Sequence, residues 1–314
     1  FKLDSICLGL THDWAGYAQA PQALVMRDRV RCFFSTRVKD SDGLFLSYPF
    51  FVDFSKDFGR ILEVSKKPSC DLGELGAFDE HGIFPLSIFL DNDGTLFGFP
   101  TGWFRRPTVG ADSAIGLMVS HDDGVTFSRL GRGPVISNSL DEPYLIADAC
   151  VLKIKDQYHC WYVFGTNWIK GENNSSPTRI YKIGHATSAD LFSWKRSGEP
   201  ILESAYFDHL ECQAMPSVRL IDGRFHMFYC VRNAYGFRDN PASMYRLAYA
   251  FSEDGLTWKV APSLSPFGKG KDEWNCHMSC YPNFFEVAGT DYLLYNGNNF
   301  GESGFGLLQL GWQK

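Results

Sequence analysis

Residues 213–230 read QAMPSVRLIDGRFHMFYC: a polar lead-in, a proline, an apolar run, a tight turn at Asp222-Gly223, then an aromatic run. The pattern recurs as AQAPQALVMRDRVRCFFSTR at 18–37 and GIFPLSIFLDNDGTLFGF at 82–99. Two more copies are ADACVLKIKDQYHCWYV at 147–163 and SCYPNFFEVAGTDYLLYN at 279–296. Aligned on the turn, the proline column holds Pro21, Pro85, Ala149, Pro216 and Pro282, spaced by 64, 64, 67 and 66 residues. A fixed period of this size is the mark of a repeat architecture. A second column, AIGLMVS, KIGHATS and RLAYAFS, leads each time into a polar turn and an aromatic strand: SHDDGVTFSRL, TSADLFSW and SEDGLTW. Each unit therefore holds four period-2 strands joined by short turns. Five such sheets around an axis predict an all-β fold, a five-bladed β-propeller with four-stranded antiparallel blades, as a single domain over 1–314. The fifth unit ends after its third strand, and residues 2–10, KLDSICLGL, are expected to supply its fourth, since open strand edges invite aggregation.

Composition agrees. Of the 314 residues 45% are hydrophobic and 16% aromatic, with 30 Gly and 15 Pro to make turns. No window keeps helical apolar spacing beyond two turns. The net charge of −6 comes without a basic run, so a nucleic-acid partner is not expected. No apolar stretch reaches a membrane span of about 18 residues. Nine cysteines, an odd number scattered through strand-like segments, read as buried thiols in a reducing compartment, and a cytoplasmic location is expected. The chain starts at Phe1 rather than Met, so a trimmed targeting segment stays open. Cys276, His277 and Cys280 form at most half a zinc site, and no metal or other cofactor is expected. Phosphate-binding glycine loops, a GxSxG elbow and HExxH are absent from the sequence.

In a propeller the innermost strands line a central channel, so residues at the same place in each blade converge. Five positions before the proline column stand Gly16, Glu80, Tyr144, Glu211 and His277, and one position before it Ala20, Phe84, Asp148, Met215 and Tyr281. Asp79, Glu80, Asp148 and Glu211 are thus acids aimed at one funnel. Asp148 lies among Ile, Ala, Cys and Val, where burial without a partner is costly. The plainer reading of each acid is a turn cap or an arginine partner. Two or more carboxylates round one funnel are what glycoside chemistry needs, one protonated to help the leaving oxygen and another ionised. Trp14, Tyr17, Trp103, Trp168 and Tyr235 offer faces for sugar rings. Arg37, Arg105, Arg106, Arg232, Arg238 and Arg246 near the channel loops open the way to an acidic sugar or phosphate. The N-x-S matches at Asn173 and Asn174 read as a polar turn. Ser120-His121-Asp122-Asp123-Gly124-Val125-Thr126-Phe127 fits an S-x-D-x-G-x-T-aromatic turn between outer strands, remote from any site.

The whole chain resembles the five-bladed glycoside hydrolases, the clan of arabinanases, β-xylosidases, invertases and levanases. Through FDEHGIFP, TGWFRR, EPYLIADAC, YKIGHATS, ECQAMPSV and LLYNGNNFGESGFG it is similar to uncharacterised bacterial glycosylase proteins. The resemblance implies a carbohydrate substrate, with Glu211 as general acid and Asp148 as the acid that tunes its pKa and anchors substrate. In blade one these relatives carry an acid before the proline, where this chain has Ala20-Pro21. The base or nucleophile then falls to Asp13, Asp79 or Glu80, with Asp79 preferred. Glu80, His81, Trp14, Asp13, Trp103, Arg105, Arg232 and His277 are the expected substrate-binding residues, and His81, His209 and His277 could orient hydroxyls or phosphate. Phosphorolysis, which needs one acid and a basic phosphate site, is the alternative, and a non-catalytic sugar-binding propeller the rival. The oligomeric state is not legible.

Overall fold

The protein is a five-bladed β-propeller, seen in a computed structural model that describes residues 16–171, 176–262 and 274–311. Blade 1 comprises β1 (Gln19–Val25), β2 (Val30–Lys39), β3 (Phe45–Phe54) and β4 (Ile61–Val64). Blade 2 comprises β5 (Gly82–Leu90), β6 (Leu96–Arg105), a third strand broken into β7 (Ala111–Ile115) and β8 (Met118–Ser120), and β9 (Ser128–Arg129). Blade 3 holds β10 (Ile146–Ile154), β11 (Gln157–Ile169), β12 (Thr178–Ser188) and β13 (Lys195–Arg196). Blade 4 holds β14 (Glu211–Ile221), β15 (Arg224–Asn233), β16 (Arg246–Ser252) and β17 (Trp258–Val260). Blade 5 shows β18 (Cys280–Val287), β19 (Thr290–Asn296) and β20 (Phe305–Gln309). Within each blade the strands pair antiparallel in chain order, and one parallel pairing, Ser47 with Gly82, joins blades 1 and 2. The segment expected to complete blade 5, residues 2–10, lies outside the described residues.

Every inner strand breaks register at the proline column. The shifts fall between Gln19 and Gln22, Ile83 and Leu86, Ala147 and Cys150, Ala214 and Ser217, and Cys280 and Asn283. In four blades the residue before the column is left-handed: Ala20, Asp148, Met215 and Tyr281 have φ between 50° and 57°. In blade 2 the corresponding Phe84–Pro85 peptide is cis. Such bulges re-aim a side chain at the cost of a ladder bond.

The freed backbone groups are taken up by neighbouring blades. Val218 N–H donates to Cys150 Sγ (3.3 Å), Phe284 N–H to Ser217 Oγ (2.7 Å) and Ala23 N–H to Asn283 Oδ1 (2.9 Å). These three bonds, at one repeat position, lead from blade 3 through 4 and 5 to blade 1. Beside them the channel widens into a cavity of ≈ 250 Å³ lined by Gln22, Ser87, Cys150, Ser217 and Asn283. At the outer edge the sequence's polar turns recur as built. Ser120, Ser188 and Ser252 hydrogen-bond Asp122, Asp190 and Asp254, whose carboxylates accept backbone N–H groups two to four residues on. Ser55 and Asp57 repeat the device in blade 1.

Aromatic and aliphatic side chains fill the spaces between blades, with Trp161 reaching from blade 3 to donate to Gly255 O of blade 4 (3.0 Å). Where the chain closes on itself, fully buried Asn296 of β19 accepts from Ala20 N (2.7 Å) and donates to Ala18 O (2.8 Å) and Gly304 O (2.7 Å). Asn296→Ala leaves three buried backbone groups unsatisfied and is expected to destabilise the fold by about 2–4 kcal/mol. Denaturant unfolding checks this, and a loss below about 0.5 kcal/mol would show that the closure does not depend on this side chain.

Candidate active site

Inner strands run away from one face of the propeller, second strands return to it, and third strands leave it again. The starts of β5, β10, β14 and β18 and of β12 and β16, with the ends of β2, β6, β11 and β15, therefore share one rim. Asp148 sits on this face, at the bulge of β10. Aspartate tolerates the left-handed backbone better than most residues. Its N–H donates to Thr101 Oγ1 of blade 2 (2.8 Å), and its Oδ2 accepts from Met215 N of blade 4 (3.1 Å). Oδ1 makes no hydrogen bond with a described residue, and the side chain keeps 9% of its exposure. Burial pushes the carboxyl up to about 6, against the opposing pull of the Met215 N–H and the Arg179 charge.

Glu211, expected as the general acid, is 0% exposed. Its Oε2 accepts from the backbone N–H groups of Ala205 (3.0 Å), Tyr206 (2.7 Å) and Phe207 (3.3 Å), and its Oε1 from Gln213 Nε2 (2.9 Å). A general acid must offer an oxygen to the leaving group. Here both oxygens are engaged by donors, and the carboxylate pins residues 205–207 onto β14. Burial lowers the pKa of Lys182 nearby, against the Glu211 charge, and Lys182 Nζ reaches Ser204 Oγ (2.7 Å).

Asp79, expected as base or nucleophile, is 1% exposed and ion-paired with Arg129 of the outermost strand of blade 2 (2.5 Å). It packs over Gly73 and Gly102, and no hydrogen bond or ion pair joins it to Asp148 or Glu211. Its Oδ2 is held by Arg129. Glu80 accepts from Gly76 N (3.0 Å) and lies 3.9 Å from His81 Nδ1. His81 stacks on Trp103 with ring centroids 6.0 Å apart. That arrangement needs Gly82, because a Cβ there would meet Trp103 Nε1 at 2.1 Å. Arg105 is tied to Asp40 (2.9 Å) and Phe45 O (2.8 Å), and Arg106 to Asp112 (2.5 Å). His209 and His277 are exposed, His277 anchored through its N–H to Asn298 Oδ1 (2.9 Å). Cys276 accepts from Asn298 Nδ2 (3.5 Å), while Cys280 is buried in β18. Tyr17 stands under Arg37 (4.9 Å) and Trp168 under Arg179 (5.7 Å), while Tyr235 bonds Lys170 O (3.2 Å). Asp13, Trp14, Asn173 and Asn174 lie outside the described residues.

Sequence reasoning missed a tyrosine group beside the expected Arg232. Arg232 Nε donates to Tyr181 OH (2.8 Å) and Tyr245 OH (3.3 Å), and the two phenols hydrogen-bond each other. Tyr245 lies 5.6 Å from Tyr281, which meets Phe84 at 5.3 Å. Tyr181 and Tyr245 stand at one repeat position, directly before KIGHATS and RLAYAFS, a shared column that the sequence reading did not use. This part of the rim is thus aromatic, with two phenol hydroxyls accepting from a guanidinium.

No family model matches the chain. An uncharacterized protein of Mycobacterium tuberculosis (strain ATCC 25618 / H37Rv) is 29% identical over 252 residues, which is 80% of this chain and 79% of that protein. Among solved structures, a glycosyl hydrolase from Bacteroides ovatus aligns over 94% of this chain and 84% of that one, with TM-score 0.70 and 15% identity. A thermostable family-43 glycoside hydrolase aligns over 94% and 90%, with TM-score 0.68 and 16% identity. A structure from work on the GH130 family of mannoside phosphorylases, containing glycoside hydrolases that target β-1,2 mannosidic linkages in Candida mannan, aligns over 94% and 84%, with TM-score 0.67 and 14% identity. At this identity the likeness is one of fold. No helix among the described residues is long and apolar enough to cross a membrane.

A carboxyl whose folded pKa stands above its unfolded value binds extra protons in the folded state, so its contribution to stability is present at low pH and lost as pH rises through about 6. Asp148→Asn removes the buried charge and is expected to stabilise the protein at pH 7 by about 1–3 kcal/mol. The gain should fade as pH falls toward 4, below which Asp148 is protonated in both states. Thermal unfolding of both proteins across pH 4–8 checks the sign, and a constant difference would discard the burial account.

Proposed function

We propose that the protein cleaves a glycosidic bond of a carbohydrate held in the funnel, with Asp148 as the proton donor. The observation that carries this reading is the Asp148 carboxyl, raised to about 6 and holding one oxygen without a hydrogen bond to any described residue at the bulge of an inner strand. A group with a pKa near neutrality can be protonated before the reaction and ionised after it. The Oδ1 proton passes to the glycosidic oxygen as the bond from the anomeric carbon to that oxygen breaks; an acceptor oxygen then bonds to the anomeric carbon, and where it is water its proton returns to the ionised Asp148 carboxylate or to solvent. Glu211 is a positioning residue in this scheme, holding the loop 205–207 at the rim through its four donors. Trp103, stacked against His81, is a face for a sugar ring. The fold shared with a family-43 glycoside hydrolase and with a structure from the GH130 work supports the reading.

Water is the first acceptor to consider and phosphate the second. The second is favoured by Arg179, whose positive charge acts on Asp148.

The test is turnover of a panel of oligosaccharides and aryl glycosides, with and without inorganic phosphate, by wild type and Asp148→Asn. Loss of the acid is expected to lower kcat on unactivated sugars by about 10²–10⁴-fold, and less on aryl glycosides whose leaving groups need no proton. Wild-type activity should fall as pH rises through about 6, because the acid must be protonated. Undiminished turnover by Asp148→Asn would sink the assignment, and sugar binding without turnover would favour a non-catalytic module.

A further inference from the structure

Most arginines of the chain meet a carboxylate, as Arg31 meets Asp53, Arg129 meets Asp79 and Arg196 meets Glu142. Arg27, Arg37, Arg60, Arg179, Arg232, Arg238 and Arg246 have no ion pair with any described residue; of these, the charges of Arg179 and Arg232 act on Arg238, and that of Arg37 acts on Tyr281. These four lie on the rim face: Arg37 near the end of β2, Arg179 at the start of β12, Arg232 near the end of β15 and Arg238 in the loop that follows. Cys212, opposite Arg232 in register, donates its thiol to Arg179 O of blade 3 (3.3 Å), which brings the two arginine-bearing strands together.

Arg232 is the most unusual of them, with 2% exposure. Its Nε is held by Tyr181 and Tyr245, and its Nη1 by Asn233 O (2.8 Å) and Ala234 O (3.4 Å). These neutral acceptors orient the guanidinium without neutralising it, and Nη2 is left without a hydrogen bond to a described residue. Arg238 stands over the same Phe237 ring, the two guanidinium carbons lying 3.8 Å and 4.4 Å from its centroid. The two charges are therefore no farther apart than the sum of those distances. Desolvation, and then the positive charges of Arg232 and Arg179, pull the Arg238 pKa down, as expected where several cations share a site with no counter-ion. The Arg179 charge also acts on the Asp148 carboxyl, whose ionised form is itself disfavoured by burial. Leaving the buried Arg232 charge without a counter-ion is costly, whereas Arg179 is half-buried and Arg238 exposed. Arginine forks match the planar oxygens of carboxylate and phosphate.

We propose that Arg179, Arg232 and Arg238 form the binding site for an oxyanion, a carboxylate or a phosphate group, beside Asp148, so that the funnel takes an anionic sugar or a sugar together with phosphate. This rests on the glycoside-cleaving reading for the sugar but not for the anion. Arg37, whose charge reaches Tyr281 across the funnel, adds to the field that draws an anion in.

The experiment is calorimetric titration of the full chain with D-glucuronate, inorganic phosphate and D-glucose at constant ionic strength. At least one anion should bind, and more tightly than glucose. The Arg179→Gln/Arg238→Gln double variant should weaken that anion on the order of tenfold or more while leaving glucose unchanged. Arg232→Lys keeps the charge but loses the fork, and should weaken the anion as well. If it fails to fold, the double variant, with Arg179 half-buried and Arg238 exposed, still decides. Binding of glucuronate alone assigns the site to a sugar acid, and binding of phosphate alone to an inorganic acceptor; each supports the site. Binding of neither anion, or an affinity the double variant does not change, overturns it. Asp148-dependent turnover of neutral glycosides without anion binding sinks this proposal and spares the activity. Arginine-dependent anion binding without Asp148-dependent turnover does the reverse.

Discussion

The left-handed residue ahead of the proline column is the constraint on which the rest of the funnel depends. A straight inner strand would alternate its side chains between the two faces of its blade and send none down the channel. The bulge breaks that alternation once per blade, at the same place, and turns Ala20, Asp148, Met215 and Tyr281 toward the axis. The left-handed backbone costs a non-glycine residue on the order of 1–2 kcal/mol. It persists because neighbouring blades capture the backbone groups it releases, as Thr101 does for Asp148 and Asn296 for Ala20. Strain and closure are thus one arrangement: the bulges make the inter-blade bonds possible, and those bonds hold the bulges.

The electrostatics of the funnel follow from this geometry. Asp148 is pressed between blades 2, 3 and 4, where water is scarce and only one N–H stabilises its charge, so its proton is held. Glu211, at the head of the next inner strand, meets the opposite surroundings, with four donors and no acceptor. Two carboxylates on adjacent inner strands thus meet different surroundings, which is why the proposed reaction gives them different tasks. The arginines on the same rim have aromatic rings and phenols for neighbours in place of carboxylates, which orients their positive charge and leaves it unspent.

Much of the architecture is legible in the sequence because a repeat writes the same physical requirements five times. The proline column marks the bulge, the Ser-x-Asp turns mark the outer edge, and the alternating aromatic runs mark the strands that pack blade on blade. Asp148 could be picked out as an acid in an otherwise small or apolar column. Glu211 could be placed at the mouth but not given its partners, because the donors come from residues 205–207, a loop with no repeat to align it. Asp79 adjoins Glu80, which stands in the same column as Glu211, yet the chain turns it outward to Arg129, a residue 50 positions later whose pairing no spacing announces.

The amino-acid order by itself determined the blade count, the strand order and the place of the bulge in each inner strand, since these depend on periodicity and local turn chemistry. Which acids face the funnel with a free oxygen, and which arginines go without a counter-ion, was decided by tertiary structure alone. Charge pairing and desolvation act between residues that are neighbours only after the blades have closed, and local sequence carries no record of them.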